Sequence, residues 1–115
     1  MILESIDVAG GWMLPGGRAD IGEDGETAFK REMKEELGIN SFQILDIVDY
    51  KLWYTPNRHV PVCTIVNLVD IGTAEIKLSE EHSSFQWVSL ENLHNYHFRW
   101  DKAAEIIRKG FELNQ

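Results

Sequence analysis

Glu32, Glu35 and Glu36 crowd into a short run of good helix formers, with Arg31 beside them and Glu23 a little upstream. Placed at about 100° per residue from Phe29, the side chains of Phe29, Met33 and Leu37 fall within about 80° and form an apolar stripe. Thr27, Lys30, Arg31 and Lys34 cover roughly 100° to 200°, the solvent side of the same projection. Glu35, Glu32 and Glu36 fall near about 240°, 300° and 340°, so three carboxylates make one arc that runs into the apolar face. A solvated helix laced with Glu–Lys pairs is the plain alternative for such a run. Two features oppose it. Glu32 and Glu36 stand four residues apart, a like-charge pair that weakens an isolated helix. Glu36 also points toward the core edge, where an unpaired carboxylate is costly to bury. A divalent cation would relieve both. Hard oxygen donors on one face suit Mg²⁺, which keeps waters and takes substrate phosphates as further ligands.

From Gly17 the chain reads Gly, five residues, Glu23, seven residues, then Arg31-Glu32-Met33-Lys34-Glu35-Glu36-Leu37-Gly38-Ile39. This resembles the Nudix box, Gly-x5-Glu-x7-Arg-Glu-U-x-Glu-Glu-x-Gly-U, with U a bulky aliphatic residue. Every fixed position matches, and Met33 keeps the apolar character of the first U. Trp12-Met13-Leu14-Pro15-Gly16-Gly17 is similar to the strand and turn that lead into that box. The resemblance implies an α/β/α sandwich around a mixed β-sheet, with a loop–helix–loop that binds Mg²⁺, or Mn²⁺ in its place. It assigns metal ligation to Glu32, Glu35, Glu36 and the Gly16 carbonyl, and an ion pair bracing the loop to Glu23 and Arg31. The activity implied is hydrolysis of a pyrophosphate bond in a nucleoside diphosphate linked to another group. A nucleotide sensor with the same fold is the alternative.

Family members often carry a further acid on a loop before a Trp-bearing strand, and Glu81, before Phe85-Gln86-Trp87, is the better-spaced general base of the Glu80-Glu81 pair. His82 beside it could assist, yet a lone loop histidine is more often a bystander. His94 and His97 lack a third ligand at a zinc-like spacing and read as non-ligands. Tyr54 and Pro56 both follow the box, so the residue class that accompanies particular substrates does not decide among them. Trp53, Tyr54, Phe98 and Trp100 are weak candidates for stacking a base, and Asp101 for hydrogen-bonding one. Core packing and helix capping explain them as well.

The elements that would hold these residues alternate in type, which reads as α/β. Ile2 to Ile6 suits a short strand and Ala9-Gly10-Gly11 a turn. A helix is expected over about Asp24 to Leu37, stopped by Gly38. Two strand-like runs, Phe42 to Tyr54 and Val60 to Ile71, flank a hairpin connection at Thr55-Pro56-Asn57-Arg58. Phe85 to Val88 reads as another strand, with Ser89 capping a brief helix over Leu90 to Leu93. A last helix is expected from near Asp101 to before Gly110. Compared with the family pattern, the first strand is expected to be absent ahead of Trp12. That absence would expose a sheet edge and favour a homodimer that pairs near the N-terminus, with the Thr55 to His59 hairpin reaching across.

At 115 residues, 43% hydrophobic and 26% charged, the chain suits a single globular domain over residues 1–115. A formal charge of −8 with scattered Lys and Arg disfavours long nucleic acid and leaves a small nucleotide as the expected partner. The one cysteine, Cys63, rules out an intramolecular disulfide and reads as a small buried hydrophobe. No stretch reads as a membrane span or a signal peptide, and the expected compartment is the cytoplasm.

Overall fold

A computed structural model describes residues 2–5, 11–57, 59–80 and 82–114, with only the backbone of residues 2–5. Strand β1 (Ile2–Ser5) runs antiparallel to β2 (Trp12–Met13) on one side and to β5 (His82–Gln86) on the other, in the order β2-β1-β5. A parallel bridge from Trp12 to Phe98 makes the sheet mixed, through Trp12 N–H to His97 O at 2.9 Å and Arg99 N–H to Trp12 O at 3.0 Å. The expected Ala9-Gly10 turn and Ile6 lie outside the described residues.

Helix α1 (Gly25–Leu37) follows from its sequence at both ends. The Asp24 carboxylate accepts from Thr27 N–H at 2.7 Å, satisfying one of the free donors of the first turn. Gly38 closes the helix at φ 69°, a left-handed conformation in which a β-carbon is strained, and donates to Lys34 O at 3.0 Å. Met33, Leu37 and Ile39 are the buried centre of a cluster that takes in Phe29, Met13, Phe85 and Val69. Burying one such side chain contributes about 1.5–3 kcal/mol, so this stripe fixes the roll of the helix. The arc of carboxylates is thereby aimed at the Pro15-Gly16-Gly17 turn. The next segment also contributes. Lys77 N–H donates to Leu37 O at 2.8 Å and Ser79 N–H to Glu36 O at 3.0 Å, so residues 77–80 lie along the end of α1.

Strands β3 (Gln43–Tyr54) and β4 (Pro61–Asp70) form a separate antiparallel hairpin, irregular near Ile44 to Asp49. Thr55 closes its turn: Thr55 N–H donates to Val60 O at 3.0 Å, and Thr55 Oγ1 accepts from Val60 N–H at 3.1 Å. Helix α2 (Ala103–Leu113) packs on β3, with Ala103 and Ile106 buried and Lys109 Nζ 2.7 Å from Asp49 Oδ2.

Four local expectations change. Helix α2 runs through Gly110, because Phe111 extends the apolar row from Ile107 by one turn. Asp101 precedes that helix without capping it; Lys102 holds the cap position and makes no side-chain cap bond. The brief helix after Ser89 is only a 3₁₀ turn over Leu93–Asn95, since Ser89 and Asn92 satisfy each other's backbone N–H at 2.9 and 3.3 Å and hold an open turn. Cys63 is exposed, on the hairpin face that also carries exposed Tyr50, Leu52, Tyr54 and Ile65. Strict alternation along a strand with one uncovered face puts it there.

Candidate active site

The turn, the helix and the segment along its end surround a cleft of about 680 Å³. Gly16, Gly17 and Arg18 form one wall, and Ser79 and Glu80 the other. Glu32, Glu35 and Glu36 line it from α1, so the arc read from helical spacing opens into this space. Tyr54, Trp100 and Asp101 are not among its lining residues. Glu81 lies outside the described residues, while its neighbour Glu80 lines the cleft and is exposed.

Arg31 organises the cleft's edge. Its Nε and Nη2 donate to the two oxygens of Glu23 at 2.8 and 3.0 Å, a bidentate pair across the loop. Nη2 also donates to Arg18 O at 2.8 Å, tying the guanidinium to the strand of loop that follows Gly17. Nη1 donates to Glu32 Oε1 at 2.8 Å and to Glu35 Oε2 at 3.0 Å. Helical projection places Arg31 on the solvent side, yet its side chain is only 25% exposed. A long, forked side chain can fold back onto carboxylates one turn away, which the Cα direction does not reveal. The hydrogen bonds from Arg31, with a second from Asp20 N–H at 2.7 Å, hold the Glu23 carboxyl below its ordinary range. In turn, its hydrogen bonds to Glu23 and Glu32 raise Arg31 above an ordinary guanidinium.

Glu36 is treated differently. It is buried, 7% exposed, and each oxygen has a partner. Gly16 N–H donates to Oε2 at 2.6 Å, and His82 Nε2 stands 3.0 Å from Oε1. Burial raises the Glu36 carboxyl above its ordinary range, against the opposing hydrogen bonds from His82 and Gly16. His82 is therefore a buried residue of β5 in contact with the Glu36 carboxylate, where the sequence favoured a loop bystander. The signal was its place in a strand that runs in toward α1, which the run Glu80-Glu81-His82 did not announce.

Gly17 explains how the wall comes so close. A β-carbon there would lie 2.5 Å from Glu32 Oε1, far inside contact distance, so the bare backbone makes room for the carboxylate. Among the described residues, no three His, Cys, Asp or Glu side chains already converge as a metal centre. Arg31 draws Glu32 and Glu35 outward, while Gly16 and His82 hold Glu36. The chemistry of the donor set nevertheless suits a hard cation, since carboxylate oxygens from one helix face share the cleft.

Comparison with known proteins agrees with this geometry. The NUDIX domain profile matches residues 3–110. The chain is 36% identical over 96 residues to the asymmetrical bis(5'-nucleosyl)-tetraphosphatase of Mus musculus, covering 79% of this chain and 64% of that protein, less than two thirds of its length. It is 33% identical over 110 residues to the nucleoside triphosphatase NudI of Escherichia coli, covering 88% of this chain and 77% of NudI. The fold is similar to a MutT protein from Methanosarcina mazei, with TM-score 0.75 and 27% identity over 99% of this chain and 83% of that one. It is also similar to an Ap4A hydrolase from C. elegans, with TM-score 0.79 and 23% identity over 97% of this chain and 82% of that one. The loop–helix cleft, the complete motif that builds it and the profile match over nearly the whole length place this chain in the Nudix hydrolase family.

Proposed function

We propose that this chain is a Mg²⁺-dependent pyrophosphohydrolase acting on a small nucleotide, with Mn²⁺ able to substitute. The observation that carries the reading is the cleft in which Glu32, Glu35 and Glu36 face the Gly16-Gly17 turn. The Gly16 carbonyl and these three carboxylates would hold the metal, which when bound neutralises phosphate charge and makes water more acidic. Arg31 and Glu23 keep the loop and helix in register. Glu81 takes the proton as water attacks phosphorus; the phosphoanhydride P–O bond breaks and the leaving phosphate departs with the electron pair. The activities for which the mouse and Escherichia coli relatives are named favour nucleoside triphosphates and dinucleoside tetraphosphates over nucleotide sugars such as ADP-ribose.

Hydrolysis of a nucleotide panel with Mg²⁺ tests this. Turnover of one class, lost in Glu36→Gln, is expected. Tight nucleotide binding without cleavage of any member would instead make the chain a sensor.

The chain's compartment is read as the cytoplasm, in keeping with a lone exposed thiol, and no helix among the described residues is long and apolar enough to cross a membrane. For a homodimer, support comes from the exposed apolar row Tyr50, Leu52, Tyr54 and Ile65. Light scattering over a dilution series decides it: a monomer at every concentration refutes the dimer.

A further inference from the structure

We propose that His82 is a positioning residue for the Glu36 carboxylate: its Nε2–H donates to Glu36 Oε1 and, opposite the Gly16 N–H, sets how that carboxylate is presented to the cleft. The inference rests on the hydrolase reading for its metal-binding and kinetic readouts, and not for the tautomer.

Three observations carry it. The His82 side chain is 3% exposed, a high cost for a polar ring unless it makes a specific contact. Its one polar contact among the described residues is Glu36 Oε1, at 3.0 Å, while buried Nδ1 has no partner there. Both oxygens of Glu36 are then gripped from opposite elements: Oε2 by the turn through Gly16 at 2.6 Å, Oε1 by β5 through His82. Where Glu36 accepts at Oε1, as it does from Gly16 at Oε2, the ring nitrogen that faces it carries the proton. The neutral tautomer that places its proton on Nε2 leaves a bare lone pair on Nδ1, where no donor is wasted. The grip matters because Glu36 is the carboxylate of the arc that Arg31 does not touch. Glu32 and Glu35 are oriented by the guanidinium, whereas Glu36 has His82 and Gly16. His82 thus does for Glu36 what Arg31 does for the other two. Partners of this kind typically govern about 10- to 100-fold in metal affinity or activity when removed.

The test has two arms. In the first, Mn²⁺ alone is titrated calorimetrically into the nucleotide-free protein, and steady-state kinetics are measured in parallel. His82→Leu is expected to weaken Mn²⁺ binding about tenfold and to lower kcat by about 10- to 100-fold, with KM within about twofold. His82→Gln, whose amide nitrogen reaches the position of Nε2, is expected to recover most of both. A purely structural His82 would lower the melting temperature and leave the metal affinity of the folded protein unchanged. Wild-type affinity and kcat in folded His82→Leu would overturn the proposal.

The second arm is long-range ¹⁵N–¹H NMR of the His82 ring in the metal-free protein. A proton on Nε2 is expected; the Nδ1–H tautomer overturns the proposal even where His82→Leu fails to fold. If the wild-type protein cleaves no nucleotide and binds no Mn²⁺, the hydrolase reading fails, and the tautomer still decides the contact between His82 and Glu36.

Discussion

Gly17→Ala separates the construction of the cleft from the stability of the fold. Gly17 has no positive φ, so alanine meets no backbone strain there, and the position is exposed. The added methyl would nevertheless sit 2.5 Å from Glu32 Oε1, with the rest of that carboxylate equally close. Non-bonded heavy atoms settle at about 3.5 Å or more, so the carboxylate must withdraw by about 1 Å. It is the end of a flexible side chain, and rotation about its χ angles costs only about 0.5–1.5 kcal/mol. Alanine also restricts the unfolded chain, which offsets about 0.4–1 kcal/mol of that. The melting temperature should stay within a few degrees of wild type. Withdrawal breaks the 2.8 Å bond from Arg31 Nη1 and moves a cleft oxygen by about an ångström. A misplacement of that size costs on the order of 100-fold in rate, or about 2.7 kcal/mol of barrier. Thermal melts beside steady-state kinetics are the assay. Gly25→Ala is the control: a β-carbon there meets nothing within 4 Å at the exposed start of α1, so activity should hold and stability should rise slightly. Full activity in Gly17→Ala would refute the claim that Glu32 must lie against this turn.

Arg31→Lys keeps the charge and loses the fork that holds Glu23, Glu32, Glu35 and Arg18 O together; kcat should fall about 10- to 100-fold with KM within about threefold, and wild-type kinetics would return Arg31 to a surface role. Glu36→Gln should abolish hydrolysis without lowering metal-free stability at pH 7. Burial raises the folded-state pKa of Glu36, so its contribution to stability is fully present below the unfolded carboxylate range and lost as pH rises through the folded value. Neutral Gln escapes that loss, which offsets the one hydrogen bond it gives up, since its single carbonyl accepts from only one of Gly16 N–H and His82 Nε2–H; a clearly lower melting point at pH 7 would contradict this. Asp49 behaves oppositely. Its bond from Lys109 lowers its folded pKa, so the pair's contribution is present above the unfolded range of about 3.9 and lost as pH falls through the lower folded value. Lys109→Ala should therefore lower the melting point at pH 7 and have little effect in strong acid, as melts across pH would show.

Much of the cleft was legible in the sequence because it lies within one helix and the turn before it. The period of α1, the Asp24 cap and the Gly38 stop are local properties, and together they oblige Glu32, Glu35 and Glu36 to share a face. The pairing of Glu23 with Arg31 was implied by the resemblance to the Nudix box, and the structure makes it as a bidentate contact at 2.8 and 3.0 Å. Tertiary structure decided what no spacing expresses. His82 meets Glu36 across 46 positions only because β5 pairs with β1 and comes in beside α1. Arg31 turns from the solvent side onto three carboxylates because a long side chain follows charge, not Cα direction. Helix α2 passes Gly110 because β3 lies beneath it, and packing overrides the local preference of glycine to end a helix. Tyr54, Trp100 and Asp101 were chosen for residue type alone, and the fold leaves them off the cleft's lining. Local geometry thus wrote the carboxylate arc into the chain, while the partners that orient each carboxylate depend on contacts between distant segments, which exist only once the sheet has brought them together.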